Sequence, residues 1–275
     1  MKGGDAYVCR IPSGERLRTG SFLSDNVKMK NYMYSVISAV ALFALACSAS
    51  AVWAFKVPEK LTYDLTWTGI KAGTATLEII QNSATMQIVS TAKSADWISF
   101  FYTVNDRVES VLRSPQPPSL IGQPQSYRMK IREGRHRRDR EVVFDLGGRS
   151  ALYIDHLRGE KKSIPLHDTV FDPLSSFYYV RTMKLEVGRS VFVDILDNKK
   201  LWNVEVLVLG KEKIRTKLGS FDTIVIKPLM KSEGIFNRKG DILIWLTDDE
   251  RRLPVMMRTK VVVGSVTATL VGGQY

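Results

Sequence analysis

The sequence predicts a mainly β fold: a large curled antiparallel sheet, half-barrel or sandwich-like, with one packed α-helix near residues 173–187. Three observations predict it. Apolar and polar side chains alternate with period two through most of the chain after residue 54. Turn signals such as Gln81-Asn82-Ser83, Glu133-Gly134, Gly147-Gly148 and Asp197-Asn198 separate those runs. Only the segment opening at Asp172-Pro173 is well signalled as a helix.

The first 54 residues read as a polar leader followed by a signal peptide, with Met29 the expected true start. Lys28 and Lys30 form a positive flank, Val36 to Ala46 is apolar, and a small-residue run ends at Ala54. That order marks a secretion signal, and the apolar part is shorter than the roughly 20 residues a membrane span needs. Val52 and Ala54 stand at −3 and −1 for cleavage before Phe55. Residues 55–275 are then a single exported β-rich domain, expected in the periplasm or associated with the outer membrane. Two alternatives remain open: an uncleaved membrane anchor, and lipidation at Cys47.

Leu61, Tyr63, Leu65 and Trp67 alternate with polar neighbours in the first strand. Thr74–Ile80 and Thr85–Thr91 form a hairpin. Ser94 to Tyr102 breaks the alternation as an aromatic-rich helix or bend, and Val104–Leu112 resumes a strand. Prolines 115, 117, 118 and 124 mark an extended crossing. Tyr127, Met129 and Ile131 then alternate with Arg128, Lys130 and Arg132, and Val142–Asp145 and Ala151–Leu157 follow. In the helix, Asp172 is the N-cap, Pro173 stands at N1, and Gly188 suits the C′ position. Arg181 is placed to bridge the helix to a sheet carboxylate. Strands follow at Val191–Leu196, Leu201–Leu209, Phe221–Leu229, Ile242–Leu246, Val255–Val263 and Val266–Leu270.

The chain has 40 Lys+Arg against 28 Asp+Glu. The leader removes six basic and three acidic residues, leaving the remainder with a net charge of +9. Both cysteines, Cys9 and Cys47, lie before residue 55, so the exported part has no disulfide and no thiol chemistry. His136, His156 and His167 lack zinc spacing, and no nucleophile elbow, P-loop or dinucleotide fingerprint occurs. No catalytic residue, metal or cofactor is expected.

Two groups remain as candidate sites. Arg128, Lys130, Arg132, Arg135, Arg137, Arg138 and Arg140 make a basic hairpin. It is either a surface for an anionic partner, including lipid phosphates, or a solvated edge that uses charge against strand pairing. Trp67, Trp97, Phe100, Phe101 and Tyr102 either cap an apolar ligand cavity at the sheet's mouth or simply pack in the core. Nucleic acid is disfavoured by the export signal.

Several segments together resemble a bacterial exported family catalogued as domain of unknown function 3108. They are residues 61–73 (Leu-Thr-Tyr-Asp-Leu-Thr-Trp-Thr-Gly-Ile-Lys-Ala-Gly), 144–145, 172–181, 218–223, 244–255 and 264–270. The resemblance implies an exported β-rich protein and brings no established activity. The expected function is non-enzymatic binding of a lipid or other amphipathic ligand in the curled sheet. Two alternatives are an envelope assembly factor that docks a protein partner through the basic hairpin, and a hydrolase of envelope glycans or lipids using carboxylates such as Asp172 and Asp248.

Overall fold

The computed structural model describes residues 55–167, 169–229, 242–261 and 263–275. The leader and its signal lie outside the described residues. Among the described residues, fourteen strands form one antiparallel sheet in the order β8-β7-β6-β5-β4-β3-β2-β1-β14-β13-β12-β11-β10-β9. They are β1 (Glu59–Trp67), β2 (Ile70–Gln81), β3 (Thr85–Ser94), β4 (Asn105–Arg113), β5 (Pro124–Glu133), β6 (His136–Asp145) and β7 (Ser150–Asp155). The rest are β8 (Glu160–Pro165), β9 (Ser190–Asp197), β10 (Lys200–Thr216), β11 (Gly219–Leu229), β12 (Ile242–Thr247), β13 (Pro254–Lys260) and β14 (Ser265–Gln274). Two helices among the described residues interrupt them, α1 (Asp96–Ser99) and α2 (Pro173–Arg181).

The topology is a meander cut open in the middle of its sequence. First strand pairs with last: β1 hydrogen-bonds to β14, with Leu65 opposite Ala268. The free edges are therefore β8 and β9, which the α2 segment connects. That segment runs across the open seam. Leu166 N–H bonds to Arg149 O near one edge, and Phe171 forms a parallel bridge with Ile195 on the other. Side chains also cross the seam: Lys199 Nζ lies 2.6 Å from Glu160 Oε1, and Arg140 Nη1 donates to Asn198 Oδ1 at 2.9 Å. The sheet is thus a curled, unclosed barrel of one layer, not a sandwich.

The alternation read from the sequence is the inner face. Leu61 and Tyr63 on β1, Leu77 and Ile79 on β2, Ile88 on β3, Val204, Val206 and Val208 on β10, and Leu270 on β14 share one core with Tyr178 and Val180 of α2. A flat sheet would keep β2 and β10 apart; burial of their apolar faces on a common helix curls it. A second core joins Tyr127, Met129 and Ile131 of β5 to Tyr153 of β7 and Leu196 of β9.

The helix begins where expected. Asp172 Oδ1 accepts the N–H groups of Leu174 and Ser175, each at 2.9 Å, and Ser175 Oγ accepts the Asp172 N–H, closing a capping box. It ends earlier than residue 187, with Thr182 as its C-cap. Gly188 does not cap it. That glycine takes a positive φ of 80° in the turn before β9, where its N–H bonds to Val208 O. Arg181 is held by a sheet carboxylate, and Leu185 leaves the helix axis to enter the core.

Two stretches of strand were not legible as such. In β8 only Ile164 is buried and the lysines at 161 and 162 face out, so no alternation marks it. The far half of β10 reads Gly-Lys-Glu-Lys-Ile-Arg-Thr. It pairs with β11 outside the main core and leaves Ile214 against Val225, Trp245 and Met256. Its Glu212 carboxylate accepts the Trp245 indole N–H at 2.8 Å, and Lys217 reaches Asp64 at 3.1 Å.

Candidate functional site

A cavity of about 360 Å³ lies between the inner face of the sheet and α2. Its walls come from Leu77 on β2, Val108 on β4, Val193 and Ile195 on β9, Val204 and Val206 on β10, and Ile226 and Ile244 on β11 and β12. Leu174, Phe177 and Val180 of α2 form the opposite side, and Ala75 and Ala268 leave room by their small size. Inward-pointing positions on successive strands supply a continuous apolar wall because the sheet curls around them. Among the described residues, aspartate, glutamate and histidine are absent from this lining. Arg258 borders it but turns its guanidinium to the outside, 5.5 Å from the Trp245 ring centroid. The half-buried wall residues Pro228, Ile242, Thr259 and Val266 lie toward one end of the barrel.

Two tyrosines give the wall polar atoms. Tyr63 Oη donates to Pro254 O at 2.9 Å. Tyr127 Oη is buried and has no hydrogen-bond partner among the described residues. Desolvation, together with the nearby charges of Asp172 and Asp197, pushes its pKa well above the ordinary phenol range, so it stays protonated.

Beneath the wall, α2 is fixed by two buried carboxylates. Arg181 donates to Glu59 Oε1 at 2.7 Å and to Glu59 Oε2 at 2.8 Å, with both side chains almost wholly buried. The guanidinium lies over both the Phe55 and Tyr178 rings, 4.7 and 4.8 Å from their centroids, while the two rings meet edge-to-face at 5.0 Å. Asp172 Oδ2 accepts the hydroxyls of Ser110 on β4 and Ser175, both at 2.6 Å. Burial pushes the Asp172 carboxyl above the usual carboxylate range in spite of these bonds.

The aromatic residues expected around a ligand do not line this cavity. Trp67, Trp97, Phe100, Phe101 and Tyr102 are surface-exposed at one end of the barrel, on β1, α1 and the segment after α1. They are not core packing either. The signal missed was the ordinary alternation itself: Val193, Val204 and Val206 build the wall, and nothing in the sequence separates a cavity-lining valine from a core one.

The basic hairpin is split by the pleat. Arg128, Lys130 and Arg132 lie on the outer face, opposite the buried Tyr127, Met129 and Ile131. Arg137 pairs in register with Arg132 and shares that outer face, while Arg135 stands exposed at the turn. Arg138 and Arg140 pair with Ile131 and Met129, and so belong to the inner side. Arg140 lies 3.5 Å from Asp155 at the seam and is no part of an outer cationic ladder. Arg128 is matched by Asp139 at 3.2 Å.

The carboxylates considered for hydrolysis are not paired across a cleft. Asp172 is wholly buried at its cap, and Asp248 is bound by Arg252 at 3.2 Å and by Lys211. The hydrogen bond from Lys211 is the main cause holding the Asp248 carboxyl below its usual range. Among the described residues no cluster of His, Cys, Asp and Glu is arranged to hold a metal ion. No helix among them is long and apolar enough to cross a membrane.

Asp106 on β4 accepts the Arg132 N–H at 2.9 Å, and burial, with Glu133 nearby, pushes its pKa up to about 6. A raised carboxyl means that the fold binds this proton more tightly than the unfolded chain. Stability from this group therefore falls as pH rises from the ordinary carboxylate value to about 6. Asp106→Asn keeps the acceptor oxygen. It is expected to gain up to about 1 kcal/mol at neutral pH, after discounting for partial exposure, and nothing near pH 4. Thermal melts of both proteins across that range check it; an equal gain at both ends would reject the assignment.

No curated protein matches the chain. Among solved structures, it is similar to a β-barrel-like protein of the DUF1849 family from Brucella abortus. That likeness has a TM-score of 0.50 at 10% identity, over 80% of this chain and 98% of that one, and speaks to fold alone. A candidate exported protein with a YmcC-like fold from Bacteroides fragilis superposes with a TM-score of 0.32 at 11% identity, over 81% of this chain and 98% of that one. Residues 62–271, which run from β1 through β14 and contain every wall of the cavity, match the family model described as protein of unknown function (DUF3108), and the chain belongs to that family.

Proposed function

We propose that this is an exported envelope protein that binds a single-chain amphiphile in the cavity between its curled sheet and α2. The observation that carries the reading is the cavity: about 360 Å³, with described walls that are mainly aliphatic and aromatic side chains. Ligand pockets commonly span about 300–1,000 Å³, so this one suits one acyl chain better than a whole multi-chain lipid. Tyr127 lines this wall with a protonated hydroxyl that is buried and has no hydrogen-bond partner among the described residues, a donor that a small side-chain shift would turn toward a carbonyl or carboxyl on the ligand. Export is supported by the segment order of residues 29–54. Cleavage before Phe55 is compatible with the packing, since Phe55 itself is buried 5.0 Å from the Tyr178 ring.

Native mass spectrometry of the protein recovered from the periplasm of a producing bacterium tests this. The expected result is a stoichiometric adduct of fatty-acyl mass that denaturation releases. Ala268→Trp, which fills the cavity from β14, is expected to lower its occupancy at least about tenfold. Tyr127→Phe is expected to leave the melting temperature unchanged or higher, since it removes a buried hydroxyl that has no partner among the described residues, while weakening retention of a carboxyl-bearing ligand. An apo mass for the wild-type protein, together with no uptake of added fatty acid, would sink the reading.

A further inference from the structure

We infer that the end of the barrel carrying α1 is a docking face for an anionic phospholipid bilayer, with Phe100 and Phe101 as its inserted tip and the β5–β6 hairpin as its cationic flank. The antiparallel order brings the β1–β2, β3–β4, β5–β6 and β13–β14 connections to this same end. Among the described residues, five of the six exposed aromatics lie there: Trp67, Trp97, Phe100, Phe101 and Tyr102, with Phe192 the exception on β9. Phe100 and Phe101 are 86% and 80% exposed, and their rings meet edge-to-face at 5.0 Å, so they protrude as one apolar unit. A soluble surface gains nothing from two such neighbours, whereas an acyl interface does.

The indoles behind them are held in place. Trp97 Nε1 donates to Lys71 O at 3.1 Å and Trp67 Nε1 to Val263 O at 2.9 Å, which satisfies each N–H and leaves the ring face on the surface. Fixed Trp and Tyr rings around an apolar tip match the composition of a headgroup layer. Two candidate sites that are separate in sequence also become one here. Gly134, at the tip of the basic hairpin, lies so close to the Tyr102 ring that a Cβ would come within 2.7 Å of Cε2. Lys93, Arg132, Arg135 and Arg137 are exposed around the aromatics, against an exposed Asp96 and the half-buried Glu133 and Asp106.

The charge decides the occupant. A second copy of the chain would bring these cations against themselves. An anionic bilayer neutralises them, each basic residue near such a surface being worth about fivefold in partition. The half-buried end of the cavity wall, at Pro228, Ile242, Thr259 and Val266, lies at this same end. The docking face does not depend on the ligand reading, because vesicle binding is measured without any cavity occupant.

Co-flotation of the purified protein with vesicles of equimolar phosphatidylcholine and phosphatidylglycerol tests it. Binding is expected that is salt-sensitive and much weaker on phosphatidylcholine alone. Phe100→Ser with Phe101→Ser is expected to lower partition at least about tenfold with an unchanged melting temperature, since both side chains are already in solvent. Arg135→Glu with Arg137→Glu is expected to abolish the preference for phosphatidylglycerol. Absence of wild-type flotation, flotation untouched by both pairs of substitutions, or a dimer in solution that the Phe100/Phe101 pair dissolves would each overturn the proposal.

Discussion

Arg181→Met is expected to destabilise the domain by about 3–5 kcal/mol, because it leaves the Glu59 carboxylate buried without its counter-charge. The two side chains sit at 0% and 2% exposure, so water cannot replace the lost partner. The methionine also gives up the cation–π contacts with Phe55 and Tyr178. For a domain of this size the melting temperature should fall by roughly 6–20 °C. Pairing the change with Glu59→Met is expected to recover most of the loss, since an apolar pair of similar volume often replaces a buried ion pair at little cost. Urea denaturation of the two single variants and the double variant measures the coupling directly. A single-variant cost below about 1 kcal/mol would show that the pair contributes no net stability. The pair ties α2 to β1, the two elements on opposite sides of the cavity, so the same substitution should also loosen ligand retention.

The second large effect is expected at Asp172. Replacement by alanine removes the N-cap of α2, takes from the Ser110 hydroxyl and the N–H groups of Leu174 and Ser175 their acceptor, and leaves the Ser175 hydroxyl only the longer bond to Asp172 O at 3.3 Å. Cap loss costs about 1–2 kcal/mol and buried unsatisfied groups about 1–3 kcal/mol more, for a total near 2–4 kcal/mol. Asp172→Asn keeps an oxygen for the two N–H groups and removes a carboxylate that burial already disfavours, so it is expected to cost about 1 kcal/mol or less. Equal losses for alanine and asparagine would mean that the buried charge itself, and not the acceptor geometry, holds the helix. Ser110→Ala should cost part of the same amount, because its hydroxyl links β4 to the cap.

How much was legible depends on what kind of information each feature carries. Helix initiation is local: Asp172 and Pro173 start α2 through their own backbone and side-chain geometry, so the dipeptide announces it. Helix termination is not, because α2 stops where Arg181 meets Glu59, which lies 122 residues earlier in the chain. The distal half of β10 and the whole of β8 carry little alternation, since neither turns a full face to a core. Trp97, Phe100, Phe101 and Tyr102 invited a cavity reading because aromatic residues usually bury, yet the backbone carries them outward on α1 and the turn after it.

By itself, the sequence determined the β class, the single long antiparallel system, the start of α2, the inward set Tyr127, Met129 and Ile131, and membership of the DUF3108 family. These follow from period-two patterning and local capping, which act between near neighbours in the chain. Tertiary structure alone decided that β1 pairs with β14, that the seam opens between β8 and β9, and that α2 enters the barrel to leave a cavity behind it. It also decided that Arg138 and Arg140 turn inward while Arg132 and Arg137 stay outside, beside the exposed aromatics. Those outcomes rest on contacts between residues far apart in sequence. Alternation says which side of a strand is apolar, and only the curl of the whole sheet says what that side encloses.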